Sequence, residues 1–171
     1  AVVAGSTRDI TNRKHAEEDQ QRLSALVENS VDFIGMADIH GMGLFLNQAG
    51  QELIGLNSQE TVRKTNIIDC FPVDERPFIE EHVLPTVMKN GAWTGETRFQ
   101  HFLSGRIIPV TWNVFVINDA QTGEPTGLGC ISQDITERKK LERQKDDFMG
   151  IVSHELKTPV TSIKAFTQVL Q

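Results

Sequence analysis

WTGETRFQHFLSGRIIPVTWNVFVINDAQTGEPTGLGCISQDITERK, residues Trp93 to Lys139, decides the fold. It reads as three strands, Trp93–Leu103, Arg106–Asn118 and Pro125–Asp134, separated by Ser104-Gly105 and by the turn-rich stretch Asp119–Glu124. The last strand runs straight into a helix. Asp134 can cap that helix and Glu137, three positions on, can close a capping box, so the helix is expected from Ile135. The TERKKLERQKDD that follows is highly charged, with Ile135, Leu141 and Phe148 as its large apolar residues, which suits an exposed helix with a narrow seam or a solvated single helix.

Working outward, a polar helix ends near Asn29, and DFIGMAD (Asp32–Asp38) and GLFLNQ (Gly43–Gln48) read as strands joined at His40-Gly41. NQAGQELIGL reads as a short helix. Pro72–Gly91 opens with Pro and acidic residues and ends in Lys-Asn-Gly, a helix that Pro85 should kink or end. Two strands, several short helices and three antiparallel strands imply an α+β fold, one five-stranded antiparallel sheet with helices against one face.

An echo frames this unit. Arg8–Glu18 (RDITNRKHAEE) and Gln133–Arg143 (QDITERKKLER) share six of eleven positions at an offset of 125 residues, each after a short apolar stretch, so a strand running into a helix is expected twice.

Composition narrows the function. The 171 residues, 39% hydrophobic and 23% charged, are those of a globular protein, and no run of about 18 apolar residues could cross a bilayer. Seventeen basic against 23 acidic residues, net −6, disfavour a nucleic-acid partner. Cys70 and Cys130 lack metal-ligand spacing and give no disulfide framework; they read as buried fillers, and no metal site is expected. Trp93, Phe99, Trp112 and Phe115 read as packing residues.

The element order, with Asn47 after the second strand, Trp93-Thr-Gly-Glu96 opening the third and Asp134-Ile-Thr-Glu-Arg138 closing the last, resembles the PAS sensor-domain family over about Leu23–Asp134. DDFMGIVSHELKTPVTSIKAFTQVL resembles the dimerisation and phosphoacceptor helix of sensor histidine kinases, and Ser153–Pro159 (SHELKTP) matches that family's H-box at every position. These resemblances divide the chain into the tail of an upstream PAS-like domain or a cloning remnant (1–11), a connecting helix (12–29), a PAS sensor (30–134), a helical signalling linker (135–147) and the first part of the phosphoacceptor domain (148–171).

They also imply roles. His154 would take the γ-phosphoryl group of ATP and pass it to an aspartate of a response regulator, Glu155 would assist as acid or base, and Thr158 would orient the water that hydrolyses the aspartyl phosphate. Helical geometry agrees. At about 100° per residue, Phe148, Val152, Leu156, Ile163, Phe166 and Leu170 fall within an arc of about 80°, and His154 lies about 160° from its centre. The stripe calls for a second copy, hence a homodimer. Pro159 should bend the helix just past the site.

No phosphate-cradling motif occurs, so ATP and Mg belong to a catalytic domain outside these residues, and the fragment should be inactive alone. The implied setting is cytoplasmic, with any membrane anchor outside this chain. For a sensor ligand, Asn66–Pro72 departs from the flavin photoreceptor run. His82 is a haem candidate, although its distance to Gly91 is about two residues short, a rotation of about 200°. Other readings are a small-metabolite sensor, or a PAS interaction module with a structural coiled-coil helix.

Overall fold

The computed structural model describes the backbone from Val3 to Val169 and side chains from Arg13 to Val152. The chain forms two compact units, residues 1–134 and 135–171.

In the first unit, helix α1 (Val3–Glu28) precedes β1 (Phe33–Asp38) and β2 (Gly43–Leu46). Short helices α2 (Gln48–Ile54) and α3 (Gln59–Val62), a 3₁₀ turn at Ile67–Cys70, and α4 (Arg76–Phe78) and α5 (Leu84–Asn90) follow. Then come β3 (Ala92–Gln100), β4 (Ile107–Asn118) and β5 (Pro125–Asp134). The five antiparallel strands stand in the order β2-β1-β5-β4-β3. The first hairpin therefore pairs with the last strand, and β5 lies at the centre.

Alternation along the strands sets the buried face. Phe33, Gly35 and Ala37 of β1 stand opposite Ser132, Cys130 and Leu128 of β5, which in turn face Trp112, Val114 and Val116 of β4. Phe33, Phe71, Phe99 and Trp112 form the aromatic centre of the core, with Phe71 4.9 Å from Trp112 and Phe33 5.2 Å from Phe99 between ring centroids. Such offset and edge contacts add specificity to area burial.

Pro85 does not end its helix. It has no N–H to give the Glu81 carbonyl, and the helix absorbs this with a π turn over Ile79–Val83, in which Leu84 donates to the Ile79 carbonyl five residues back. The Thr86 hydroxyl takes up the His82 carbonyl at 2.6 Å. The helical run is thus Arg76–Asn90 rather than Pro72–Gly91, and Gly91, at φ 87°, closes it in the left-handed conformation that favours glycine.

Three other expectations change. The strand expected in the first copy of the echo is absent from Val3 onward, because Val3–Glu28 is one helix that also starts well before Asn12. A lone strand would leave its backbone donors and acceptors without a ladder, whereas a helix satisfies its own. The third strand stops at Gln100, where His101 accepts from Gly105 and donates to Arg106 through backbone groups to make the turn. In the second unit, α6 (Thr136–Val169) begins one residue later than expected, with the Ile135 carbonyl accepting from Lys139 N–H.

Candidate functional site

The first unit holds a cavity of about 60 Å³ between the inner face of the sheet and the segments after β2. Phe33, Cys70, Phe71, Phe99, Trp112 and Cys130 are among its walls, and none of its walls is a charged side chain. Two of these elements are fixed by asparagines. Asn47, fully buried, caps α2 by accepting from Gly50 N–H (3.0 Å) and also accepts from Ile34 N–H of β1 (3.0 Å). Asn66 accepts from Ile68 N–H (3.1 Å) to start the 3₁₀ turn that carries Cys70 into the wall.

On the far side, Glu75 joins the start of α4 to β3. It accepts from the Thr97 hydroxyl (2.5 Å), Arg98 N–H (3.0 Å) and Arg98 Nε (2.6 Å), while Arg98 Nη2 reaches Asp74 at 2.6 Å. The Arg98 guanidinium holds the Asp74 carboxyl below its ordinary value.

The thiols are inert as nucleophiles. Burial pushes Cys70 up to about 12, and burial pushes Cys130 up to about 11 against an opposing contribution from the Trp112 indole. Both are neutral at pH 7, as fillers should be. A neutral thiol is a weak acceptor, and the Trp112 Nε1–H beside it finds no partner within hydrogen-bonding geometry. The Ser132 hydroxyl, directly across from Trp112 in the β4–β5 register, is likewise buried and unpartnered. Trp112 reads from sequence as packing alone, and Ser132 was missed. Its signal was the inward series Leu128, Cys130, Ser132 along β5.

His82 is not among the cavity walls. It is exposed and stacks on Phe78 with ring centroids 5.6 Å apart. A cavity of this size, without an imidazole, does not fit haem.

The second unit carries the H-box. Helix α6 runs through Ser153–Pro159 to Val169, so Pro159 does not terminate it. Its backbone places His154 and Thr158 one turn apart on one face and Glu155 beside them in sequence; the side chains of these three lie outside the described residues. The stripe is visible where it can be followed. Of the stripe residues with described side chains, Phe148 is exposed and Val152 half-buried, and Leu141, seven residues before Phe148, is exposed as well.

A sheet of this order closing on a small apolar cavity, with its last strand feeding a long helix, defines an α+β domain of the sensor type. The PAS fold matches residues 27–140, and the chain belongs to that family. The His Kinase A (phospho-acceptor) domain matches residues 144–171, which include the H-box. The sensor protein kinase WalK of Staphylococcus haemolyticus is 24% identical over 162 residues, 92% of this chain and 24% of its own length. WalK of Staphylococcus aureus is 25% identical over 163 residues, 92% of this chain and 35% of its own. The chain thus spans about a quarter to a third of the length of these relatives. The PAS domain of a protein from Colwellia psychrerythraea superposes with a TM-score of 0.63 at 23% identity, covering 69% of this chain and 98% of that one. Among the described residues, no helix is long and apolar enough to cross a membrane.

Proposed function

We propose that the chain is the sensor and phosphoacceptor part of a two-component sensor histidine kinase. The observation that carries this is the continuity of β5 with α6, which puts the SHELKTP segment on the helix that leaves the PAS sheet.

His154, through a neutral ring nitrogen, attacks the γ-phosphorus of Mg-ATP; the bond to the bridging oxygen breaks and ADP leaves. Glu155 relieves the other ring nitrogen of its proton. The phosphoryl group then passes to an aspartate of a response-regulator receiver domain, and Thr158 orients the water that later hydrolyses it. A hydroxyl suits this because it both donates and accepts. ATP and Mg are held by a catalytic domain outside these residues, so the chain alone is inactive. Two copies of α6 cover the apolar stripe in a homodimer, and the setting is the cytoplasm. The PAS unit biases the helix through β5.

Replacing His154 with Gln in the full-length protein tests this: transfer of phosphate from ATP is lost while the PAS unit stays folded. Unchanged transfer in that variant would leave the alternative of an interaction module with a structural helix.

A further inference from the structure

The β3–β4 hairpin stands out from the sheet. Val110 pairs with Asp134, the last residue of β5, and three further pairs, Arg98–Pro109, Phe99–Ile108 and Gln100–Ile107, continue beyond it. At about 3.4 Å per residue, this two-stranded ribbon overhangs the end of β5 by about 10 Å before it turns. The turn is held firmly. His101 N–H donates to the Arg106 carbonyl (2.9 Å), Ser104 N–H to His101 Nδ1 (3.2 Å), and Phe102 N–H to the Ile54 carbonyl at the end of α2 (2.8 Å).

What this turn presents is apolar. Leu103 is 72% exposed, Ile107 42% and Phe102 39%, where turns ordinarily carry polar residues. Positive charge gathers around them. Arg106 is exposed on the turn, Lys64 and Arg76 share a surface cleft with Phe102, and Arg63 adjoins Lys64. These four are all but Lys89 and Arg98 of the Lys and Arg in residues 30–134, a stretch with 13 Asp and Glu. Glu60 answers Lys64 at 2.6 Å and Asp69 answers Arg76 at 3.2 Å, so the patch keeps a net positive charge on an acidic domain.

We infer that this hairpin tip is a docking surface for the receiver domain of the response regulator, with Leu103 and Phe102 entering an apolar depression and Arg106 and Lys64 facing acidic side chains at its rim. The inference rests on the kinase reading and adds a partner surface outside the phosphoacceptor helix. Two considerations select this occupant. A domain that accepts a phosphoryl group on an aspartate beside Mg²⁺ holds the ion through carboxylates, so the face it turns toward His154 is acidic and complements the tip. Helix α6 rises about 1.5 Å per residue, so His154 is at most about 30 Å of helix from Asp134, the diameter of a small domain. The hairpin overhangs that same end of the sheet.

The test uses the full-length protein, phosphorylated with Mg-ATP, and as probe the receiver domain that it phosphorylates fastest among those of its organism. Leu103→Ser should raise the receiver concentration that half-saturates transfer about fivefold and Arg106→Gln about threefold, with the limiting rate, the level of phosphorylated His154 and the melting temperature unchanged. Arg106→Gln should also flatten the salt dependence of that concentration. Met88→Ser, at an exposed apolar residue of α5 beside the opposite end of β3, should change nothing. Half-saturation at the wild-type concentration in both tip variants, or an equal loss in Met88→Ser, would overturn the inference. So would a Leu103→Ser protein that transfers normally but loses oligomer mass or binding to phosphatidylglycerol vesicles, because the tip would then serve a second copy or a bilayer. No phosphate on wild-type His154 would overturn the kinase reading and the inference with it, whereas normal phosphorylation of His154 with unaltered transfer in the tip variants overturns the docking surface alone.

Discussion

Asn47 Nδ2 donates to the Val27 carbonyl in the last turn of α1, at 3.1 Å, across twenty residues of sequence. The same amide nitrogen reaches the Asp32 carbonyl at 2.9 Å, and its oxygen serves Ile34 and Gly50. One buried side chain therefore joins the end of α1, the start of β1 and the cap of α2.

Asn47→Ala removes all of these bonds and leaves buried backbone groups unmade, at roughly 1–3 kcal/mol for an orphaned group and about 1 kcal/mol for the lost cap. The expected loss is about 3 kcal/mol in urea unfolding of the PAS unit. A loss below about 1 kcal/mol would mean that water replaces the amide.

Acid should weaken the Asp74–Arg98 pair in a definite sense. The Asp74 carboxyl is lowered, chiefly by its hydrogen bond from Arg98. A depressed carboxyl stabilises above its unfolded value, and that contribution disappears as pH falls through the folded one. Arg98→Gln should therefore be less stable than the wild type at neutral pH and converge on it in acid, below the ordinary carboxylate range. A stability gap that stays constant down to pH 2 would refute the assignment.

Alkali should act through the cavity thiols. Cys70 rises from 9.0 unfolded to about 12 folded, so its neutral form stabilises the fold below about 9 and that contribution is lost as pH rises toward 12. Cys70→Ala should flatten the fall in stability above pH 9, while lowering stability at pH 7 by opening space in the core. The wild-type thiols should also react with iodoacetamide at pH 8 no faster than the unit opens.

Gly91→Ala isolates backbone strain, because φ is 87° and nothing would meet the new Cβ within 4 Å. The expected cost is about 1 kcal/mol, and Gly91→Asn should recover part of it, since asparagine tolerates this region. Equal melting temperatures for all three proteins would contradict the assignment.

Much of this was legible in the sequence. The turns at His40-Gly41, Ser104-Gly105 and Asp119–Glu124 join β1 to β2, β3 to β4 and β4 to β5, and Asn47 and Gly91 mark helix ends. The strand order was not, because pairing of β1 with β5 depends on contacts about a hundred residues apart that no local pattern encodes. The π turn was hidden because Pro85 signals a break, whereas Leu84 and Thr86 supply alternative bonds. The apolar start of α1 was misread by analogy with the β5–α6 junction, where the same motif follows a strand that has neighbours on both sides. Within the site, the H-box was readable because its chemistry is written contiguously. The cavity was not, because Cys70, Trp112 and Cys130 converge from three separate segments.

The central claim is that the helix leaving the PAS sheet carries the phosphoryl acceptor. The most direct measurement is mass-spectrometric mapping, at neutral pH, of the full-length protein after incubation with Mg-ATP. The account predicts one acid-labile phosphoryl group on the peptide containing Ser153–Pro159, located on His154. Phosphate on a different residue, or none on His154 while a response regulator is being phosphorylated, would contradict it.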